Sequence, residues 1–165
     1  AATNPRLLDS ARKLRINAIT TYGASETAGG CVYNGVPIPG AKVKVASGRI
    51  YLGGPMVARG YRNLDSDDFA DGWFRTSDAG SLVDATLQVQ GRIDNTIDSG
   101  GLKLHPEVLE QFMLRIDGVT SACVVGVPDA RLGQRISAAY TGSATIADLM
   151  EAFDCLLYTS DAADE

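Results

Sequence analysis

The chain has 165 residues, 45% of them hydrophobic and 21% charged, and 15 Lys+Arg against 20 Asp+Glu give a formal charge of −5. That balance excludes a basic nucleic-acid surface, and the composition excludes wholesale disorder or a fibrous design. The run from Ala122 to Val127 is far shorter than a bilayer span, and no charged-then-apolar leader opens the chain, so neither a membrane span nor export is expected.

Asn4 followed by Pro5 signals a helix start, and Leu7, Leu8, Ala11 and Leu14 recur on one face, which predicts a helix over 5–14 lying on something apolar. A short strand is expected over 18–22, running into GASETAGG, where small residues let the backbone approach a ligand. Val43 and Val45 alternate with Lys42 and Lys44, a Ser47-Gly48 turn follows, and Ile50 and Leu52 resume the alternation. That is a β-hairpin. A second is expected from 81–83 and 87–90 around Asp84-Ala85, making 33–91 a compact, mostly β unit.

Beyond Gly91 a polar, Gly-rich stretch, RIDNTIDSGGLK, leads to Pro106 and an amphipathic helix with Val108, Leu109, Phe112, Met113 and Ile116 inward. Two strands are expected over 120–127 and 135–141. A helix capped by Thr145 then turns Ile146, Leu149, Met150 and Phe153 to one face. The fold class is therefore mixed α+β. Cys31, Cys123 and Cys155 are too few and too widely spaced for a disulfide framework or zinc site, which fits a reducing cytoplasm, and Cys123 is expected in the core. The tail CLLYTSDAADE, 155–165, holds three of the chain's acids and no base, resembles a read-through of adapter sequence, and is expected to be non-native.

Three segments carry the chemistry: TYGASETAGG (21–30), GWFRTSDAG (72–80) and GRIDNTIDSGGLKLHPEVLE (91–110). They supply an aromatic ring beside a glycine, a hydroxyl next to a carboxylate, an isolated Asp after a turn, and an Arg before a flexible joint. An aromatic face can cover a purine, a hydroxyl can donate to a phosphate oxygen, a carboxylate can hold hydrated Mg²⁺, and Asp with Arg can pair with ribose hydroxyls. Each residue alone also has a plain reading. Tyr22 could close a strand, Asp78 and Asp94 could serve turns or caps, and Arg92 could form a surface ion pair. His105, ahead of a proline and with no nucleophile tied to it, is read as structural or solvated.

In this order the segments resemble the adenylate-forming acyl-CoA synthetase superfamily, over nearly all of residues 1–154. YGASET is similar to its Tyr-Gly-x-Thr-Glu motif, and GRIYLGGPMVARGY to its Gly-Glu-Leu…Gly-Pro…Gly-Tyr segment. FRTSD is similar to its Thr-Gly-Asp, GRIDNTIDSGGLKLHPEVLE to its hinge motif, and VVGVPDARLGQRISAAY to a segment of its small C-terminal domain.

The resemblance implies a large AMP-binding domain ending at 1–91, a hinge at 92–95 and a truncated mobile domain over 96–154. It implies that Tyr22 packs on adenine with Gly23 beside it, that Ser25 binds the α-phosphate, and that Glu26 holds Mg²⁺. Asp78 and Arg92 would hold the ribose, Asp94 would be the pivot, and Gly100 and Gly101 would approach the pantetheine arm of coenzyme A. Ala1-Ala2 would end an upstream adenine-contacting turn. The implied activity is that of an acid–CoA ligase working on a small-molecule carboxylate, ATP and CoA, with AMP and an acyl-adenylate on the way.

Ser77 stands where the family has Gly, a change expected to alter a turn presenting Asp78, and Arg49 stands where it commonly has Glu, read as a surface change. The family's Gly-rich phosphate loop and its late adenylation Lys have no counterpart here, so the chain is expected to be incomplete and inactive alone. The rival readings are another acyl-CoA synthetase, a carrier-loading adenylation domain, and a nucleotide-binding module without catalysis.

Overall fold

The computed structural model describes the backbone of residues 3–161 and the side chains of 3–154. The Ala1-Ala2 turn, the Cys155 side chain and the end of the acidic tail lie outside the described residues. The architecture is mixed α+β, divided into two compact units, one of residues 11–96 and one formed by the described parts of Ala1–Ser10 and Ile97–Glu165.

Helix α1 spans Pro5–Lys13, with the Asn4 side chain accepting the Arg6 N–H at 3.0 Å as an N-cap should. It ends one residue earlier than expected. Arg15 takes a left-handed φ of 56°, and the Arg15 and Ile16 N–H groups return to the Arg12 and Ala11 carbonyls, which closes the helix without a glycine. Of the four residues of its expected apolar stripe, Leu7 and Leu14 are 64% and 72% exposed, while Leu8 and Ala11 are half-buried.

In the unit of residues 11–96, β1 (Thr21–Ala24) starts later than expected, because Ala18 and Ile19 are exposed and make no ladder. It pairs antiparallel with β2 (Gly29–Tyr33), which turns through Asn34-Gly35, both at positive φ, into β3 (Val36–Pro37). Between β1 and β2, a Cβ on Gly23 would collide with the Gly29 carbonyl, so only glycine permits this pairing.

The second sheet contains β4 (Lys42–Ala46), β5 (Arg49–Gly53), β6 (Phe69–Ala70), β7 (Trp73–Val83) and β8 (Thr86–Arg92). Its order is β4-β5-β7-β6, with β8 also on β7. Both expected hairpins are present, with positive φ at Ser47-Gly48 and Asp84-Ala85. Strand β7 is much longer than its expected three residues: Phe74 and Thr76 are buried on one face while Arg75 and Ser77 are exposed on the other. Cys31, Val32, Ile50, Leu52 and Leu87 form the core, with Tyr22 packed against it.

The other unit builds a four-stranded sheet, order β10-β9-β12-β11, from β9 (Ile97–Ser99), β10 (Leu102–Leu104), β11 (Val119–Asp129) and β12 (Gly133–Gly142). The β9–β10 hairpin replaces what reads in sequence as a Gly-rich linker. Helices α2 (Pro106–Met113) and α3 (Ile146–Asp161) contribute Met113 and Leu149 to a core with Ile97, Val119 and Val124. Phe112 meets Phe153 at 5.0 Å, and the Glu110 carboxylate accepts the Val124 N–H at 2.9 Å.

Four side chains expected to be buried in this unit are instead exposed. Cys123 and Val125 alternate with Ala122 and Val124 along β11, so Cys123 is exposed rather than in the core. An apolar run in a sheet with one buried face still sends every second side chain outward. Val108, Ile146 and Met150 are likewise exposed, outside the stripe that their helices bury. The backbone of α3 also continues to Asp161, into the tail of 155–165, because no Gly or Pro interrupts it.

Candidate functional site

Asp78 on β7 and Arg92 on β8 are directly opposite in register, so two residues chosen from separate motifs become a cross-strand pair. Arg92 Nη1 lies 3.8 Å from Asp78 Oδ1. Its Nε and Nη2 grip Asp94 Oδ1 and Oδ2 at 2.9 and 2.6 Å, so that Arg92 faces two carboxylates. This bidentate bond holds the Asp94 carboxyl below the usual carboxylate range. Asp94 itself sits in a 3₁₀ turn, Ile93–Asn95, directly after β8.

The Tyr22 hydroxyl donates to the other Asp78 oxygen, Oδ2, at 2.7 Å. Burial first, and then this bond and the neighbouring negative charge, push the Tyr22 phenol well above its ordinary value, so it remains a donor. Thr76, two residues before Asp78 and buried, accepts the Asp78 N–H at 3.1 Å and donates to the Ile50 carbonyl at 2.8 Å. Arg49 Nη1 donates to the Thr76 carbonyl at 2.7 Å. Arg49, read as a surface change, is thus half-buried and tied to the strand that presents Asp78. The expected turn at Ser77 does not exist. Ser77 lies inside continuous β-strand with its side chain exposed, and this position makes no demand for glycine.

Ser25 and Glu26 open a 3₁₀ turn, Ser25–Thr27, at the end of β1. Ser25 is exposed, whereas Thr27 is buried and pins the turn by accepting the Ala24 N–H and bonding to the Gly29 carbonyl at 2.9 Å. Glu26 Oε1 accepts the Tyr61 hydroxyl at 2.7 Å, and the Glu26 carbonyl accepts the Ala58 N–H, also at 2.7 Å. The carboxylate bond pushes the Tyr61 phenol up to about 12. Sequence reading singled out neither Tyr61 nor Thr27 as a site residue. The signals were the Gly60-Tyr61 end of the Gly-Pro segment and a third polar residue in Ser-Glu-Thr.

Among the described residues no three His, Cys, Asp or Glu side chains converge as a metal cage. Glu26 offers one carboxylate to a divalent cation beside it. That donor set suits Mg²⁺, which is commonly held by one or two carboxylates together with water and phosphate oxygens. Gly100 and Gly101 belong to the other unit, at the tip of the β9–β10 hairpin with φ of 63° and 91°. There the Gly100 N–H donates to the Leu132 carbonyl and the Gly101 N–H to Asp98 Oδ1.

No protein-family model matches the chain. The "Probable 2-succinylbenzoate--CoA ligase" of Mycobacterium tuberculosis (strain ATCC 25618 / H37Rv) is 45% identical over 139 residues, covering 81% of this chain and 36% of that relative. The "2-succinylbenzoate--CoA ligase" of Escherichia coli (strain K12) is 32% identical over 146 residues, covering 82% of this chain and 32% of its own length. Among solved structures, wild-type E. coli MenE with a bound analogue of OSB-AMS superimposes with a TM-score of 0.76 at 30% identity, over 92% of this chain and 37% of that one. The R195K form of that protein with bound OSB-AMS gives 0.78 at 28%, again over 92% of this chain and 37% of that one.

With Tyr22, Asp78 and Arg92 joined in one cluster and these relatives beside it, the chain belongs to the adenylate-forming acyl-CoA synthetase superfamily. Within that class, the relatives named above are 2-succinylbenzoate–CoA ligases, and the chain spans about a third of their length.

Proposed function

We propose that this chain is part of an ATP-dependent 2-succinylbenzoate–CoA ligase of menaquinone biosynthesis, acting in the cytoplasm. The carrying observation is the Tyr22–Asp78–Arg92 cluster, in which residues 56 and 14 positions apart in sequence meet at hydrogen-bond and ion-pair distance. The 45% identity over most of the chain supports the choice of carboxylate, and the segment GGCVYNGVPIPGAKV at 29–43 carries that resemblance in the sequence.

In this reading the reaction has two halves. A carboxylate oxygen attacks the α-phosphorus of ATP, forming the acyl-adenylate and releasing pyrophosphate; the CoA thiol then displaces AMP to give the thioester. Adenylation turns a poor leaving oxygen into a good one. Asp78 accepts from ribose hydroxyls and Arg92 donates to them, while the half-buried Tyr22 ring offers a face to adenine and Gly23 allows the backbone close to it. Exposed Ser25 donates to the α-phosphate and Glu26 holds Mg²⁺, which when bound offsets phosphate charge. Asp94 is the pivot between the two half-reactions, and Gly100 and Gly101 line the approach of pantetheine.

Pyrophosphate exchange with 2-succinylbenzoate and ATP tests the reading. The full-length reading frame carrying these segments should catalyse exchange and Asp78→Ala should impair it, while residues 1–165 alone should not exchange. No exchange by the full-length protein with this carboxylate would overturn the substrate assignment.

A further inference from the structure

We propose that Tyr61 is a positioning residue for Glu26: its hydroxyl holds one carboxylate oxygen so that the other is presented to the cation that accompanies the nucleotide. This rests on the cation-binding role proposed for Glu26. The main chain of Glu26 is fixed twice, by its place in the Thr27-pinned turn and by the Ala58 N–H on its carbonyl. Fixing the backbone leaves the side chain with three rotatable bonds, and a glutamate free to sample its rotamers would present its charge in many directions. The Tyr61 bond to Oε1 at 2.7 Å removes that freedom. No other hydrogen bond or ion pair to the carboxylate occurs among the described residues, so the lone pairs of Oε2 remain for a cation.

The tyrosine is itself held. Its ring meets Phe69 edge-on at 5.1 Å, and Phe69 stacks on buried Phe74 at 5.2 Å, so the phenol is anchored through two aromatic contacts to strand β7. Gly60, at φ 149°, turns the chain into this position. The hydroxyl adds nothing to that ring packing, since phenylalanine would stack equally well. What it adds is one charge-assisted bond to Glu26. Hydrogen-bond partners of metal-ligating carboxylates commonly govern affinity in this way.

The test is Mn²⁺ binding to the full-length enzyme in the presence of ATP, read from the electron paramagnetic resonance signal of free Mn²⁺. Tyr61→Phe keeps the aromatic stack, and its melting temperature should stay near that of the parent. It should weaken Mn²⁺ binding about tenfold or more, the usual cost of losing such a partner. Glu26→Gln should weaken it at least as much, and the double variant should be no worse than Glu26→Gln, because Tyr61 acts only through that carboxylate. Full Mn²⁺ affinity in Tyr61→Phe, with a loss in Glu26→Gln, overturns this inference and leaves the role of Glu26 standing. Additive losses in the double variant also overturn it. Undiminished binding in Glu26→Gln overturns the role of Glu26 and this inference together.

Discussion

Removing the Asp78 carboxylate should reveal how strongly Tyr22 is tied to it. In Asp78→Ala the Tyr22 hydroxyl loses a charged acceptor in a setting buried enough to raise its pKa, a bond worth about 1.5–3 kcal/mol. The Arg92 contact adds little: at 3.8 Å, with half of the Arg92 side chain in solvent, it contributes about 0–1 kcal/mol. Tyr22→Phe removes the same bond from the other side and keeps the ring against the core. Urea unfolding of the full chain, followed by circular dichroism, should show each single variant shifted down by about 1 M for a slope of about 2 kcal/mol/M. The double variant should lie close to either single one, a coupling of about 1.5–3 kcal/mol. Since the folded-state pKa of the phenol is raised above its unfolded value of 10.0, this contribution is fully present below about pH 10 and is lost as the pH rises through the folded-state value. Additive single variants, with coupling below about 0.5 kcal/mol, would refute the bond as a contributor to the site.

Gly23→Ala should destabilise the chain by about 1–3 kcal/mol, since the added carbon collides with the Gly29 backbone rather than with a flexible side chain, and hydrogen exchange should show β1 and β2 opening first. Thr145→Ala should cost about 0.5–2 kcal/mol at the start of α3, read by far-ultraviolet circular dichroism, because it removes the cap that trades hydrogen bonds with Asp148. Those bonds hold the Asp148 carboxyl below its ordinary value, so the cap's stabilisation is present above the unfolded pKa and is lost as the pH falls through the folded one. In a Cys155→Ser background, a maleimide should label exposed Cys123 quickly and leave buried Cys31 protected, its thiol pushed up by burial; equal labelling of the two would contradict the one-sided sheet.

Local signals made the hairpins legible. Alternation on either side of Ser47-Gly48 and Asp84-Ala85 is encoded within a dozen residues, and those turns form where they are expected. The site was legible as separate motifs, because Tyr22, Asp78 and Arg92 each sit in a recognisable segment. Their meeting was not, since it depends on β7 and β8 placing position 78 opposite 92. Tyr61 escaped for the same reason: nothing near it in sequence marks a partner 35 residues away. The misplaced core residues came from reading hydrophobicity without sidedness, as Cys123 illustrates. The β9–β10 hairpin escaped because Gly100 and Gly101, read as flexible, instead form a tight turn.

Strand β7 has one further implication, for which changes of length this chain tolerates. Phe74, Thr76 and Asp78 occupy alternate positions, so the site carboxylate continues the row that begins in the core. Parity fixes it there. Deleting a single residue between Trp73 and Ser77 would invert every following side chain, sending Asp78 to solvent and a neighbour into its place. The ladder to β8 shifts only after Asp78, between Ala79 and Gly80, whereas the ladder to β5 is irregular across 75–79, where Tyr51 pairs with Arg75 and Arg49 with Ala79. Homologous genes should therefore accumulate insertions in the stretch of 62–67, which has no regular structure, and almost none in 73–78. A catalogue of insertion positions would measure the phase constraint without any enzyme being assayed.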